Sequence, residues 1–131
     1  MIEKIFRGEI FMVKAKDLDD MKVKNEKKKY NTEMRKPRPA VVISNDIANA
    51  SSPNVIVAFV SSSPNKLKKE AEKPSPVHIP VTLKRDSLIL CENIDSISKE
   101  RLLFKVGELD SQQTILLNQG LMYSLGLSWI S

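Results

Sequence analysis

Short apolar runs separated by polar segments cover the first hundred residues of the chain. The three strongest occupy residues 10–13 (IFMV), 40–43 (AVVI) and 55–60 (VIVAFV). They are rich in β-branched residues, which favour strands. Turn-forming residues separate the second run from the third, so the pattern predicts two neighbouring, well-buried strands.

Three further runs predict additional strands. Residues 87–91 (SLILC) are apolar enough for another buried strand. Residues 78–81 (HIPV) contain a proline, which has no N–H to donate, so we expect an edge strand there. Residues 102–106 (LLFKV) predict one more short strand.

The pattern changes to that of a helix after residue 110. Asp110 and Ser111 are good helix-capping residues, and apolar residues then recur at spacings of three and four. These apolar residues are Ile115, Leu116, Met122, Tyr123 and Leu127. Gly120 either weakens this C-terminal helix or permits another element to pack closely against it.

The order of these elements predicts the fold class. Five or six short strands precede one helix, with no βαβ alternation, which is typical of a mainly-β fold. We expect a small antiparallel β-barrel or twisted sheet with the helix packed on it. The 131 residues are within the usual size of one domain, so we expect a single domain over residues 1–131.

Two polar segments interrupt the strands. Residues 14–37 predict a long basic, mobile loop, and loops of this length inside compact domains are usually functional or disordered. Residues 61–76 mix serine, proline and lysine in a way that opposes regular structure, so we expect a second loop there.

The positive charge of the chain is concentrated in the first of these segments. The chain has 21 basic and 16 acidic residues, a net charge of +5. Ten basic and five acidic residues lie between Lys14 and Arg38, and the rest of the chain is neutral. Such a patch favours contacts with phosphate groups through release of counterions. The alternative is a solvated loop that only confers solubility.

Several protein classes are excluded by composition. No uncharged apolar run approaches the roughly 20 residues needed to cross a bilayer. Residues 1–7 carry charges where a secretory signal needs an apolar core, so we expect no export and no membrane association. Cys91 is the only cysteine and lies in an apolar run, which indicates a buried, inert thiol and a reducing cytoplasm.

Common catalytic signatures are also missing. The chain has one histidine and one cysteine, and no P-loop motif, so we expect no metal site and no cofactor. A serine-protease-like arrangement of His78 with Ser44 lacks the glycines of a nucleophile elbow, and a lone strand histidine is more often structural. Asp17, Asp19 and Asp20 are explained by charge balance within the basic loop.

What remains is an arginine at a strand entrance and a hydroxyl at a strand end. Arg38 lies between Pro37 and Pro39, both of which restrict the backbone around it. Ser61 ends the apolar run of residues 55–60. A guanidinium binds a phosphoryl group bidentately, and a nearby hydroxyl donates to another phosphate oxygen. RNA supplies its own nucleophile, the 2′-hydroxyl, so such a site could cleave RNA without a metal.

Five stretches of sequence, taken in order, add to this interpretation. They are residues 7–10 (RGEI), 38–46 (RPAVVISND), 53–58 (PNVIVA), 85–94 (RDSLILCENI) and 98–102 (SKERL), followed by the predicted C-terminal helix. In this order and spacing the chain resembles the MazF/PemK family of toxin endoribonucleases over nearly its whole length.

The resemblance implies a fold, an activity and two protein partners. The fold is the CcdB/PemK-like, SH3-type small antiparallel barrel. The activity is metal-independent cleavage of single-stranded RNA at short preferred sequences, which leaves a 2′,3′-cyclic phosphate and a 5′-hydroxyl. The partners are a second copy of the chain, in a homodimer, and an antitoxin whose acidic, initially disordered tail occupies the RNA groove.

The resemblance also assigns residues to the site. The family's catalytic arginine matches Arg38, its strand-end threonine matches Ser61, and its loop glutamate matches Glu33. Glu92 occupies the place of an acidic residue found in a later strand of some members. Those members have an arginine two positions earlier, where this chain has Leu90. The other residues expected to contact RNA are Lys27, Lys28, Lys29, Arg35, Lys36, Ser62, Ser63 and Arg85.

The chain departs from the family pattern in the loop before Arg38. Family members usually have a short loop with glycine there, whereas this loop is long, lysine-rich and free of glycine, so no cleavage sequence transfers. The alternative function is a non-catalytic member of the fold that binds a protein, as gyrase-poisoning toxins do, or binds nucleic acid through the basic loop. Arg38 favours the enzyme, because a protein-binding poison does not need an arginine beside a strand-end hydroxyl.

Overall fold

The computed structural model describes residues 2, 4–15 and 36–127. Nine helices and strands are found in these residues, with a short 3₁₀ turn, Lys99–Arg101, before the last strand. In chain order they are β1 (Glu9–Val13), β2 (Arg38–Val42), α1 (Asp46–Ser51), β3 (Asn54–Ser61), α2 (Pro64–Glu72), β4 (His78–Thr82), β5 (Asp86–Ser98), β6 (Leu102–Glu108) and α3 (Ser111–Leu125).

The six strands form one sheet in the order β4-β5-β3-β2-β1-β6, and every neighbouring pair is antiparallel. The predicted mainly-β antiparallel fold with a C-terminal helix is therefore confirmed. β4 is an edge strand, as Pro80 predicted. β5 is longer than predicted because its polar second half continues to pair with β3 across a register shift.

Both faces of the central strands are buried. Successive side chains of a strand point to opposite faces, so a continuous apolar run supplies two cores. The first cluster includes Ile10, Val41 and Ile89 and is covered by α3. The second cluster, on the other face, includes Phe11 and Val42.

The C-terminal helix packs through residues other than those that indicated it. Asp110 caps it with a capping box, and Gly126 ends it with a φ of 68°. Its buried residues are Leu117, Gly120 and Leu121. Ile115, Leu116, Tyr123 and Leu127 are exposed, and Met122 is only partly buried.

Gly120 explains which face of α3 is buried. A Cβ at this position would lie 2.7 Å from Sγ of Cys91 on β5 and 3.1 Å from the carbonyl oxygen of Pro76. The glycine therefore lets the helix backbone approach the sheet at its closest point. Of the two alternatives for Gly120, close packing is the one observed.

The predicted second loop, residues 61–76, is wrong in its middle, which forms α2. Ser63 caps this helix by accepting from the N–H of Lys66, and Pro64 occupies the first turn, where a missing N–H costs nothing. Leu67 and Glu70, one turn apart, are its partly buried residues. One partly buried apolar residue is too few to produce the hydrophobic periodicity by which a sequence indicates a helix.

The turn expected after residue 44 likewise contains a helix, α1, which is capped by Asn45.

Most of the predicted basic loop lies outside the described residues, including Lys27, Lys28, Lys29, Glu33 and Arg35. Its two ends are described, and they meet. Val13 and Arg38 are cross-strand partners. Lys14 exchanges hydrogen bonds with Arg101, whose carbonyl accepts from the Lys14 N–H and whose Nε donates to the Lys14 carbonyl. The basic segment thus leaves and re-enters the sheet at the corner that carries Arg38.

Candidate active site

Arg38 is the first residue of β2 and is held over an aromatic ring. The carbon at the centre of its guanidinium lies 5.2 Å from the centroid of the Phe59 ring on β3. A cation over a ring face at this distance is attracted to the electron-rich face. With Pro37 and Pro39 restricting the backbone, the contact gives the guanidinium a defined position at the corner of the sheet.

Ser61 ends β3 at the same end of the sheet where β2 begins with Arg38. The partners Ala40 with Phe59 and Val41 with Ala58 define the register of β2 and β3. Continuing that register places Arg38 opposite Ser61. The Ser61 hydroxyl oxygen accepts a hydrogen bond of 3.2 Å from the N–H of Ser63, which orients the side chain. The register thus places the two residues that the sequence assigned to the phosphate at the same end of β2 and β3.

The neighbouring serines have separate roles. The Ser63 hydroxyl is occupied as the cap of α2. Ser62 lines a groove of about 580 Å³ together with Arg85. The other residues that line this groove are Met12, Pro39, Thr82, Leu83, Lys84, Ser87, Phe104 and Val106. Pro39 follows Arg38 in the same strand, so the groove lies on the opposite face of this corner.

Glu92 lies on β5 and is paired with a histidine. Its Oε2 is 2.8 Å from Nε2 of His78 on β4. The other ring nitrogen, Nδ1, is 2.9 Å from Oε1 of Glu70 on α2. β5 carries extra residues opposite Phe59, because Ala58 pairs with Ile94 and Val60 pairs with Ile89. Glu92 therefore belongs to the segment beside Phe59.

The charges in this cluster reinforce one another. Partial burial lowers the pKa of His78, but hydrogen bonds with Glu92 and Glu70 outweigh it, and the pKa is raised above 6.5. Burial raises the pKa of Glu92, but the hydrogen bond with His78 and the charge of Lys66 contribute to a net lowering. Each group therefore stabilises the charged form of the other.

Three residues of this corner are not identified by the sequence alone. Phe59 is there only one residue of an apolar strand, and Glu70 lies in a helix that the sequence predicts as a loop. His78 is interpreted from the sequence as structural. Its two carboxylate partners are 8 and 14 residues away along the chain. No short spacing signal could have indicated them.

The serine-protease-like arrangement considered for His78 is absent. Ser44 is buried and donates to Oδ1 of Asn49, while its hydroxyl oxygen accepts from the N–H of Ile56. Its role is to fasten α1 to β3.

In the residues described, no cluster of three or more histidine, cysteine or acidic side chains is arranged to hold a metal ion. Nor is any helix in that part of the chain long and apolar enough to cross a membrane.

Arg7, in the first family-like stretch, has a structural role. Its Nε donates to the carbonyl of Ile43 at 2.9 Å, and a terminal nitrogen donates to the side chain of Asn118 on α3 at 2.8 Å. Its N–H donates to Asp46 of α1. Arg7 thus ties α1 and α3 to the start of β1 and is separate from the Arg38 corner.

Comparisons with known proteins agree with this arrangement. Residues 6–125 match the family described as "PemK-like, MazF-like toxin of type II toxin-antitoxin system". The chain is 38% identical over 95 residues to "Endoribonuclease EndoA" of Bacillus subtilis, which covers 69% of this chain and 77% of the relative. It is also 38% identical over 96 residues to "Endoribonuclease MazF" of Staphylococcus epidermidis, with 70% and 75% covered.

A solved structure shows the same fold. It is titled "Endoribonuclease in complex with its cognate antitoxin from Mycobacterial species". The TM-score is 0.67 at 18% identity, with 95% of this chain and 98% of that chain covered. With the family matched over most of its length and its fold shared, this chain belongs to the PemK-like, MazF-like toxin family of type II toxin-antitoxin systems.

Proposed function

We propose that the protein is the toxin of a type II toxin-antitoxin system and a metal-independent endoribonuclease that cuts single-stranded RNA. Its family and its relatives named endoribonuclease support the activity. The observation that carries the chemistry is Arg38, held over Phe59 at the end of the sheet where β3 ends with Ser61. Within the proposal, both side chains bind the scissile phosphate.

The reaction follows from what RNA and these residues each supply. The 2′ oxygen attacks the phosphorus, the bond from phosphorus to the 5′ oxygen breaks, and the products are a 2′,3′-cyclic phosphate and a 5′-hydroxyl. Arg38 binds two phosphate oxygens and neutralises the charge that develops on them, and Ser61 donates to one of them. The positive charge comes from the protein, so the step requires no divalent cation.

The two proton transfers balance this step. The 2′-hydroxyl loses its proton to a carboxylate, which later releases it to solvent, and the departing 5′ oxygen takes a proton from a solvent water. Glu92 is the described candidate for the acceptor, and Glu33 is a second candidate from the basic loop. Like any carboxyl group at its ordinary pKa, Glu92 is ionised at neutral pH, which is the state that an acceptor needs, and its hydrogen bond with His78 lowers the pKa further.

The RNA path extends from Arg38 in both directions. Lys36 is exposed beside Arg38, and the loop residues Arg35, Lys27, Lys28 and Lys29 belong to the segment whose two ends meet at this corner. On the other face of the corner, Ser62 and the exposed Arg85 line the groove. We assign all of them to contacts with the strand on either side of the cut.

Two protein partners belong to the proposal. An antitoxin with an acidic tail would cover this basic corner and the groove, since a structural neighbour is titled as a complex with its antitoxin. A second copy of the chain would cover apolar side chains of α3 and β6 that a monomer leaves in water. These are Leu103, Ile115, Leu116 and Tyr123. We expect the toxin to act in the cytoplasm.

The test is cleavage of a long single-stranded RNA by the purified protein in EDTA. Arg38→Ala should lower the rate at least about 100-fold, the usual cost of removing a group that binds transition-state charge. Ser61→Ala should cost less, and Ser61→Thr should retain activity because it keeps the hydroxyl. The products should carry 5′-hydroxyl ends that polynucleotide kinase labels directly.

Three results would refute this function. They are cleavage that depends on added metal, cleavage that is undiminished in Arg38→Ala, and products with 5′-phosphate ends. RNA binding without cleavage would favour the non-catalytic alternative. Glu72→Gln is the control, since this exposed carboxylate of α2 lies outside the proposed site.

A further inference from the structure

We propose that His78 is a positioning residue of the RNA-cleaving site, where it orients Glu92 on the sheet face that carries Arg38 and Ser61 and fastens α2 beside them. This inference rests on the proposed endoribonuclease function. The stretches of sequence that resemble the family do not include His78 or Glu70, so the role comes from the geometry of these two side chains.

The first step of the argument is that these side chains share one face of the sheet. Ile79, Ile89 and Cys91 belong to the cluster under α3. Side chains alternate along a strand, so His78, one position before Ile79, faces the other side, and Glu92 reaches that side through its hydrogen bond with His78. Phe59 packs against the second cluster, on that same side, and carries Arg38.

The second step is the chain of contacts across three elements. His78 joins Glu70 of α2 to Glu92 of β5 at 2.9 and 2.8 Å. The second oxygen of Glu70 accepts from the N–H of Ser75 at 3.0 Å, so both of its oxygens are used. The Glu70 side chain is 14% exposed and that of Glu92 is 49% exposed. Glu70 is thus the anchor, and Glu92 is the end that a bound RNA strand can reach.

The third step concerns the protonation state of the ring. Each ring nitrogen faces a carboxylate oxygen, and only the imidazolium has two N–H donors. The charged groups around it are Glu70 on α2, Glu92 on β5, and Lys66, whose charge acts on Glu92. When the ring is neutral, one of the two carboxylates faces a lone pair, and the chain of contacts is broken.

The sign of the pH dependence follows. The pKa of His78 is raised in the folded protein, so both hydrogen bonds are fully present below 6.5. They are lost as the pH rises through the raised value. Glu92 then loses its fixed orientation, so RNA cleavage should fall on the alkaline side of its optimum through His78. The acidic side should follow the acceptor carboxylate.

The experiment measures kcat and KM for RNA cleavage from about pH 5 to about pH 10. His78→Ala should lower kcat about 10-fold with KM changed less than about threefold, and it should abolish the alkaline fall. His78→Gln, which keeps an amide donor, should recover part of kcat but not the pH dependence. Glu70→Gln should move the alkaline fall to lower pH, because one carboxylate that raises the pKa of His78 is removed. Glu72→Gln, on the same helix, should leave the profile unchanged.

A second readout does not depend on cleavage. His78 is the only histidine of the chain, so its ring protons give one assignable NMR titration. Its pKa should lie above 6.5 and should fall in both Glu70→Gln and Glu92→Gln.

The outcomes separate this inference from the function on which it rests. If the parent protein cleaves RNA and His78→Ala keeps both kcat and the alkaline fall, the positioning role is refuted and the function stands. If the parent protein does not cleave RNA, both are refuted. If His78→Ala fails to fold, the pH profiles of RNA cleavage by His78→Gln and Glu70→Gln test the proposal instead. A pH profile unchanged from the parent protein in both variants would overturn it.

Discussion

The guanidinium of Arg38 lies over the ring of Phe59, 5.2 Å from its centroid, and Phe59 is two residues before Ser61 on β3. The ring therefore connects the two halves of the proposed phosphate site. Among the residues that the structure describes, no carboxylate forms an ion pair with Arg38. A guanidinium held by a ring keeps its donors available for phosphate, whereas one held by a carboxylate would have to exchange partners.

Phe59→Leu should lower kcat/KM for RNA cleavage about fivefold. Leucine keeps an apolar side chain on the second cluster but has no ring face, and an exposed cation–π contact contributes about 0.5–1 kcal/mol. Phe59→Tyr should be close to the parent protein. Single-turnover cleavage measures the effect, with thermal melting as a check on folding. A Leu variant as fast as the Tyr variant would show that the ring does not position Arg38.

Gly120→Ala should lower the free energy of unfolding by about 2 kcal/mol, because overpacking a core costs about 1–3 kcal/mol. The new Cβ would meet Sγ of Cys91 at 2.7 Å. Urea denaturation measures the change. In the background of Cys91→Ala the same substitution should cost less, with a coupling of at least about 0.5 kcal/mol. Gln119→Ala, at the exposed neighbouring position, should change stability by less than about 0.5 kcal/mol. Full additivity would contradict the contact.

Neutralising Lys27, Lys28 and Lys29 together to Gln should weaken RNA binding and flatten its dependence on salt. For single strands the slope of log K against log salt changes by about 0.7 for each phosphate that the variant no longer neutralises. Fluorescence anisotropy with a labelled RNA at several salt concentrations gives the slope, and Lys4→Gln is the single-charge control. Slow cleavage should persist. An unchanged slope would mean that these lysines are ordinary surface residues.

Replacing Leu116 and Tyr123 together by Lys should convert the protein to a monomer. Both side chains are exposed on α3, Tyr123 at 64%, and a stable dimer buries about 800 Å² on each partner. Two charges in such a patch would be desolvated without partners. Sedimentation equilibrium of the variant and of the control Gln119→Lys measures the result. A dimer that survives the double change would place the interface elsewhere.

The sequence by itself determined the strands, apart from the second half of β5, and the start of the last helix. Residues 40–43 and 55–60 are apolar enough on both faces to form buried strands in any mainly-β context, and Asp110 caps a helix through contacts within four residues. The sequence also placed Arg38 at a strand entrance, because two prolines flank it. These features depend on local propensity and side-chain chemistry, which are present in the linear chain.

Only the tertiary structure decided which residues meet. The burial of Leu117 and Leu121 in place of Leu116 and Tyr123 depends on where Gly120 approaches Cys91. The pairing of Arg38 with the Phe59 ring depends on the register of β2 with β3. The link from Glu70 through His78 to Glu92 joins a helix and two strands. Such contacts join residues that are far apart along the chain. Local sequence does not determine the register of two strands or the distance between a helix and a sheet, because both depend on how the whole chain packs.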